Sequence, residues 1–247
     1  MTVSLLVLED DPTVRRFVGM ALQRLGADAV LCATVAEATR ALEGREFGAI
    51  VTDLRLPDGT GESFLAALAP YREAHPACQV VVSSGALDPE TRSRLQRLQV
   101  DQMLPKPLEL QQLRDLVAFA TESARAAPPA PPATPAPPAT PPAVSPAQRA
   151  LQVHFGGNER LFAQYRSLCL AQFPSDMAQA DAALQRGDGA GLQHTGHNLK
   201  TVLRLLGWEQ AAELAACLEQ QATTDTAAAA ATWHNLRQAL QELLRTA

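Results

Sequence analysis

The sequence predicts two domains of different class, an α/β domain over residues 1–125 and an all-α domain over residues 148–247. Short apolar runs alternate with amphipathic stretches in the first part, which is typical of a doubly wound five-stranded parallel sheet. The last hundred residues contain helical patterns and no strand signal. A Pro/Ala-rich segment separates the two parts, and 247 residues are enough for each domain to bury its own core.

Five apolar runs of strand length lie in the first domain, each followed by an amphipathic stretch of helical period. The predicted strands are Ser4–Leu8, Asp28–Cys32, Ala49–Thr52, Gln79–Ser83 and Val100–Leu104, and the predicted helices begin near Pro12, Val35, Gly61, Pro89 and Leu108. This alternation predicts a parallel sheet covered by helices on both faces. Ligands of such sheets bind at the carboxyl ends of the strands, near the point where the strand order reverses.

The segment 126–147 consists almost entirely of proline, alanine and threonine. Such a composition lacks the side chains for a core and predicts an extended spacer of about 3.1 Å per residue. A passive tether is favoured over a ligand for a proline-recognising domain.

The second domain is predicted to be an antiparallel helical bundle of the four-helix type. Asn158 is the expected cap of its first helix, Pro174 is expected to start a helix, and Gly187 and Gly207 are expected to end helices. The predicted helices are Glu159–Phe173, Ser175–Arg186, Ala190–Leu206, Glu209–Gln221 and Ala227–Arg245.

Composition excludes several classes of partner. The net charge is −5, with 21 basic and 26 acidic residues, so nucleic-acid binding is not expected.

The four cysteines are widely spaced and form no CxxC pair, which favours a reduced, cytoplasmic protein. The N-terminal residues lead directly into acidic positions, without the pattern of a signal peptide or a membrane span. No membrane partner is expected.

Acidic residues follow two of the predicted strands. Glu9 and Asp10 come directly after the first strand and Asp53 ends the third, so three carboxylates should converge at one edge of the sheet. Their mutual repulsion favours a hard divalent cation, and Mg²⁺ fits because it accepts a few carboxylates and keeps several waters. Lys106 can reach the same edge as a positive charge for phosphate oxygens, and Ser84 offers a hydroxyl there.

Four motifs, in the order in which they occur along the chain, resemble those of the receiver domain of bacterial response regulators over roughly residues 1–122. They are Leu6-Val7-Leu8-Glu9-Asp10-Asp11, Asp53-Leu54-Arg55-Leu56-Pro57-Asp58-Gly59, Val82-Ser83-Ser84-Gly85 and Leu104-Pro105-Lys106-Pro107. The resemblance implies a flavodoxin-like fold in which Asp53 accepts phosphate. It further implies that Glu9, Asp10, Asp53 and the backbone carbonyl of Arg55 hold Mg²⁺, that Ser84 is the switch hydroxyl, and that Lys106 contacts the phosphoryl group. Glu9 replaces the more usual aspartate, and Met103 stands where the family often has an aromatic residue.

A helical wheel separates His197 from the apolar face of its predicted helix. At 100° per residue, four leucines fall within about 60° of one another and form the expected buried stripe, Leu192, Leu199, Leu203 and Leu206. His197 points away from this stripe, with Lys200 and Arg204 on its side of the helix. We therefore expect an exposed imidazole beside two cations. A neutral, exposed imidazole is a competent nucleophile near neutral pH.

The segment His197-Asn198-Leu199-Lys200, continued by Leu205-Leu206-Gly207, resembles the signature of histidine phosphotransfer (Hpt) domains, within a bundle over about 148–246. The resemblance implies that His197 carries phosphate and that Lys200 assists electrostatically. Thr201 and Val202 stand where the family usually has glycine and a small residue, and an exposed Thr201 would restrict docking of a receiver. His194 and His197 also permit a metal-pair interpretation, although no nearby carboxylate or cysteine is expected to complete it.

Together these motifs predict a phosphorelay protein that passes phosphate between aspartate and histidine and is not itself a kinase. The receiver domain should catalyse its own phosphorylation, and the sequence contains no recognisable ATP-binding kinase domain. The expected partners are a sensor histidine kinase and a receiver domain, on another protein or on the same chain. The alternative is a binding module regulated by phosphorylation, whose bundle docks a partner without transferring phosphate. A metal-dependent hydrolase is a weaker option, because no further general base is evident.

Overall fold

A computed structural model describes residues 2–85, 87–123 and 145–246. The chain divides into two compact units, Met1–Val144 and Ser145–Ala247. Most of the predicted linker, residues 126–144, lies outside the described residues. Its last two positions, Pro146 and Ala147, belong to a helix, so the helical part of the second unit begins before residue 148. Within the described ranges, no helix is both long and apolar enough to span a bilayer.

The first unit contains the five predicted strands and an additional short hairpin. The strands are β1 (Ser4–Leu8), β2 (Asp28–Cys32), β3 (Ala49–Asp53), β4 (Arg55–Leu56), β5 (Gly59–Thr60), β6 (Gln79–Ser84) and β7 (Gln102–Pro105). The helices are α1 (Pro12–Arg24), α2 (Val35–Gly44), α3 (Gly61–Ala67), α4 (Ala69–Ala74), α5 (Pro89–Arg97) and α6 (Leu110–Ser123). The sequence did not predict the hairpin β4–β5 or the short helix α4.

The main sheet is parallel throughout, with the strand order β2-β1-β3-β6-β7. This order confirms the predicted flavodoxin-like architecture. Every residue of β3 and β6 is buried, because helices cover both faces of the central strands. Strand β2 lies on one side of β1, and β3 lies on the other side. The carboxyl ends of β1 and β3 therefore flank the point where the strand order reverses.

The described residues of the second unit, 145–246, form five helices. They are α7 (Pro146–Phe155), α8 (Glu159–Arg186), α9 (Gly189–Leu205), α10 (Glu209–Gln221) and α11 (Thr226–Thr246). Helices α8 to α11 pack in sequence, and α11 returns to α8, which makes a four-helix bundle. Short connections of two to four residues make consecutive helices antiparallel. Helix α7, which packs on α8 and α9, was not predicted.

Most of the expected helix ends occur where the sequence placed them. The side chain of Asn158 accepts a hydrogen bond from the backbone N–H of Leu161, as predicted for a cap. Gly187 and Gly207 follow helices with the positive φ values of 65° and 75° that glycine tolerates best. The prediction that Pro174 starts a new helix was wrong, because it lies inside α8. Buried residues on both sides of Pro174, among them Phe173 and Ala180, hold this helix together despite the missing N–H.

Candidate functional site

Three carboxylates meet at the carboxyl edge of the sheet. Glu9 and Asp10 directly follow β1, and Asp53 is the last residue of β3. One oxygen from each side chain lies within 4.8 Å of the others, and these three residues, named here the acidic cluster, form the one such group found among the described residues. The structure thus brings together the three carboxylates that the sequence predicted.

Lys106 provides the positive charge of this site. Its Nζ atom donates to Asp53 Oδ2 at 2.7 Å and lies 2.6 Å from Glu9 Oε2. Lys106 and Asp53 are only 8% and 2% exposed, so both ion pairs are shielded from water. Pairing of β7 with β6 carries Lys106 to this edge, and its backbone N–H donates to the carbonyl of Ser84 at 2.9 Å. One buried lysine therefore faces three carboxylates.

Backbone contacts fix the orientation of the cluster. Asp53 Oδ1 accepts from the N–H of Leu54 at 2.5 Å and from the N–H of Arg55 at 3.3 Å. The guanidinium of Arg15 donates to the carbonyls of Glu9 and Asp10 at 2.6 and 2.9 Å. A side chain at Gly61 would place its Cβ 2.2 Å from the Asp53 carbonyl oxygen, so the first position of α3 needs glycine. The loop that carries Arg55 consequently lies close to Asp53.

The acidic cluster fits a divalent cation. Burial raises the pKa of Glu9 to about 8, and Lys106 opposes this effect while Asp53 adds to it. Glu9 Oε1 is buried and accepts no hydrogen bond from any of the described residues. An oxygen in this position, beside two more carboxylates, suits a hard cation such as Mg²⁺. The third acid of the sequence motif, Asp11, instead caps α1 by accepting from the N–H groups of Thr13 and Val14.

The second candidate site lies in the bundle and includes a residue that was not predicted. His197 Nδ1 lies 2.8 Å from Glu219 Oε1, and Lys200 Nζ donates to Glu219 Oε2 at 2.5 Å. His197 and Lys200 are on α9, whereas Glu219 comes from α10. All three side chains are buried. We name His197, Lys200 and Glu219 the histidine triad.

The predicted exposure of His197 was wrong, since the residue is only 4% exposed. The leucine stripe is buried as predicted, but α10 packs against another side of α9, so this helix has more than one buried face. Thr201, also predicted to be exposed, is buried, and its hydroxyl lies 3.5 Å from the carbonyl of His197. The predicted obstruction by an exposed threonine therefore has no structural basis.

The protonation state of the triad follows from its contacts. Although burial alone would raise the pKa of Glu219, the hydrogen bonds from His197 and Lys200 lower it to about 2. An ionised carboxylate can only accept hydrogen bonds, so Nδ1 of His197 carries the hydrogen in the contact with Glu219. In a neutral imidazole this arrangement leaves the lone pair on Nε2. His194 does not join the triad, and its Nε2 atom lies 3.2 Å from the side-chain amide of Asn198.

A signal for Glu219 was present in the sequence. Ala212, Ala215 and Glu219 follow the spacing i, i+3, i+7, so an acidic residue occupies the buried stripe of α10. A charged residue at such a position requires a partner. The partner itself could not be identified, because His197 lies 22 residues away on another helix.

Comparisons with known proteins agree with this division. Residues 5–118 match the family model of the response regulator receiver domain, and residues 164–246 match that of the Hpt domain. The chain joins a receiver domain to an Hpt domain. Asp53 lies in the matched part of the receiver domain, and the histidine triad lies within the matched part of the Hpt domain.

Individual relatives resemble the receiver domain. The response regulator protein PilR of Pseudomonas aeruginosa is 32% identical over 117 residues, which cover 47% of this chain and 25% of PilR. The chain thus matches about a quarter of the length of that relative. A CheY-like receiver domain protein from Methanospirillum hungatei is similar in structure, with a TM-score of 0.46 and 19% identity, over 51% of this chain and 98% of the other. The Francisella response regulator 1452 receiver domain gives a TM-score of 0.45 and 22% identity, over 50% and 100%.

Receiver and Hpt domains are the phosphotransfer modules of two-component phosphorelay signalling. Their presence on one chain confirms the predicted class of protein. Ser84 is the last residue of β6, and its neighbour Ser83 pairs with Asp53 in the sheet register. Ser84 thus lies at the same edge as the acidic cluster.

Proposed function

We propose that the protein receives a phosphoryl group on Asp53 and carries one on His197, as an intermediate in a phosphorelay. The observation that carries this proposal is the presence of both acceptors on one chain, each hydrogen-bonded to a buried, charged side chain. Lys106 contacts Asp53, and Glu219 contacts His197. The proposed partners are a sensor histidine kinase and a receiver domain, either on another protein or on this chain, and the proposed compartment is the cytoplasm.

Asp53 is the proposed nucleophile toward phosphohistidine. A carboxylate oxygen attacks phosphorus, a P–O bond forms, and the P–N bond breaks with its electron pair returning to the imidazole. Lys106 offsets negative charge on the phosphoryl oxygens, and the N–H groups of Leu54 and Arg55 orient the carboxylate. Mg²⁺ held by Glu9, Asp10, Asp53 and the Arg55 carbonyl would supply further positive charge to those oxygens. Ser84 is the proposed switch hydroxyl for the phosphorylated state.

His197 is the proposed carrier on the Hpt domain. With the Nδ1 hydrogen donated to Glu219, the Nε2 lone pair attacks the phosphorus of an aspartyl phosphate. A P–N bond forms, and the P–O bond breaks with its electron pair returning to the aspartate carboxylate. Glu219 also balances the positive charge that develops on the imidazole. Lys200, which shares the Glu219 carboxylate, is the proposed electrostatic aid for the phosphoryl group. Because His197 is buried, transfer requires a local opening that admits the incoming phosphate.

Burial of His197 favours a second candidate function. A histidine that remains 4% exposed would not exchange phosphate, and the Hpt domain would then be a docking module controlled by phosphorylation of Asp53. In that case Glu219 and Lys200 would serve only to stabilise the bundle.

Radiolabelled phosphate distinguishes the two functions. We expect the wild-type chain to take label on both residues, Asp53→Ala to take none on the receiver domain, and His197→Gln to take none on the Hpt domain. The assay uses candidate histidine kinases and receiver domains as donors and acceptors. A His197 that stays unlabelled with every donor while Asp53 labels normally contradicts the relay. Stoichiometric labelling of another receiver residue in Asp53→Ala contradicts the assignment of Asp53.

A further inference from the structure

Gly196 lies immediately before His197, at a very close contact between α9 and α10. A Cβ atom at this position would lie 2.8 Å from the backbone nitrogen of Glu219, 3.0 Å from the carbonyl oxygen of Ala215 and 3.2 Å from the Glu219 Cα. All three atoms belong to the backbone of α10, which cannot turn aside as a flexible side chain would. Helix α10 therefore approaches α9 to a distance that only glycine permits at this position.

Glu219, one of the two residues at this contact, is also the residue that holds the imidazole. The backbone of Glu219 packs against Gly196, and its carboxylate contacts His197 Nδ1 at 2.8 Å and Lys200 Nζ at 2.5 Å. The side-chain amide of Gln193 donates to the Glu219 carbonyl at 3.3 Å and ties the two helices one turn away. Since N–H···O hydrogen bonds typically have lengths of at most about 3.2 Å, the separation of the two helices affects whether one Glu219 carboxylate can reach both groups.

We propose that Gly196 is a positioning residue for phosphoryl transfer at His197, because its missing side chain brings Glu219 close enough to hold the hydrogen on Nδ1. This inference rests on the proposed function of His197 and adds the element that selects its nucleophilic nitrogen. Gly196 touches neither the imidazole nor the phosphate in this role. It acts through Glu219, which fixes the tautomer that presents the lone pair of Nε2.

Gly189 provides a matched control on α9, where it contacts the residue that directly follows α10. A Cβ atom at Gly189 would lie 2.5 Å from the carbonyl oxygen of Ala222, so alanine there also pushes backbone against backbone. Gly189 is seven residues from Gly196, at the first position of α9. An effect of Gly196→Ala that Gly189→Ala does not share therefore belongs to the Glu219 contact and not to general loosening of the bundle.

The tautomer of His197 is the decisive readout, and it does not depend on activity. In the full-length chain labelled with ¹⁵N-histidine, at a pH about two units above the ordinary histidine pKa of about 6.5, we expect the wild type to carry the hydrogen on Nδ1. His197→Gln identifies the signal among the five histidines. We expect Gly196→Ala to move the hydrogen toward Nε2 and to slow phosphoryl transfer by about tenfold or more. Gly189→Ala should keep the wild-type tautomer.

Glu219→Asp tests the same contact without altering helix packing. The aspartate is one methylene shorter and withdraws the carboxylate, so it should change the tautomer as Gly196→Ala does. The double variant should then add little to either single change, because both remove one interaction. A wild-type tautomer in folded Gly196→Ala, or equal changes in Gly196→Ala and Gly189→Ala, overturns the proposal. If the Nδ1–H tautomer depends on Gly196 but His197 never takes phosphate, only the proposed function is overturned.

Discussion

In the receiver domain one buried lysine faces three carboxylates, whereas in the Hpt domain one buried carboxylate faces a lysine and a histidine. Lys106 bonds to two members of the acidic cluster and leaves Glu9 Oε1 without a hydrogen bond from the described residues. Glu219 divides its two oxygens between His197 and Lys200. The first site has an excess of negative charge, and the second is close to balance within its own three side chains.

This difference matches the two proposed chemistries. A phosphoryl group brings further negative charge to the aspartate that accepts it. The site therefore benefits from an additional cation that the protein itself does not supply. A histidine that carries phosphate needs one lone pair in a defined position, and a carboxylate on the other ring nitrogen provides it. The pKa directions agree, since burial and Asp53 raise that of Glu9 while His197 and Lys200 lower that of Glu219.

The largest expected effect comes from removing Lys106, with removal of Lys200 as the comparison. Lys106→Met leaves Glu9 and Asp53 buried together without their shared cation, and we expect a loss of about 3–5 kcal/mol in the unfolding free energy of the receiver domain. Lys200→Met leaves Glu219 bonded to His197, and we expect about 1–2 kcal/mol for the Hpt domain.

Urea unfolding of the full chain measures both losses. Tryptophan fluorescence reports the Hpt domain alone, because Trp208 and Trp233 are the two tryptophans of the sequence. Hydrogen exchange of the β3 and β6 amides reports the receiver domain. Equal losses of unfolding free energy in Lys106→Met and Lys200→Met would contradict the proposed difference between the two sites. They would show that the hydrogen-bond partner left to Glu219 has no effect on stability.

A somewhat smaller effect is expected from the charge of Glu219. Its pKa is lowered from 4.5 to about 2 in the folded chain, so the folded state favours the ionised form. The stabilisation is therefore complete above about pH 4.5 and is lost as the pH falls toward about 2. The difference between the two pKa values corresponds to on the order of 3 kcal/mol. Glu219→Gln should be less stable than wild type near neutral pH, and the gap should narrow over this acidic window.

Tryptophan-detected unfolding at a series of pH values tests this dependence. Glu213, an exposed acid on the same helix, supplies the matched control, and Glu213→Gln should follow the wild-type curve. A gap between wild type and Glu219→Gln that stays constant from neutral pH to pH 3 would contradict an ionised Glu219 as the centre of the triad.

The two sites also differ in how far the sequence revealed them. The acidic cluster was predictable because buried parallel strands are continuous apolar runs, and residues after their carboxyl ends meet at one edge. Glu9, Asp10 and Asp53 could thus be placed together without knowledge of any side-chain packing. The histidine triad depends on the contact of two helices, and the helical wheel of α9 contains no information about α10. The wheel located the leucine stripe correctly but made His197 exposed, and Glu219 was missed.

The smallest expected effect is stabilisation by Mg²⁺, which should act on one domain only. A cation that binds the folded acidic cluster raises the unfolding free energy of the receiver domain by about 1.4 kcal/mol at a free concentration of about ten times its Kd. The histidine triad holds its own cationic partner, so the tryptophan-detected transition of the Hpt domain should not move. Asp10→Asn removes one of the three carboxylates and should reduce the effect on the receiver domain, with sodium chloride at equal ionic strength as the control. A Mg²⁺ effect of the same size in Asp10→Asn, or on the Hpt transition, would mean that the ion acts by general screening and that the charge imbalance at the acidic cluster does not recruit it.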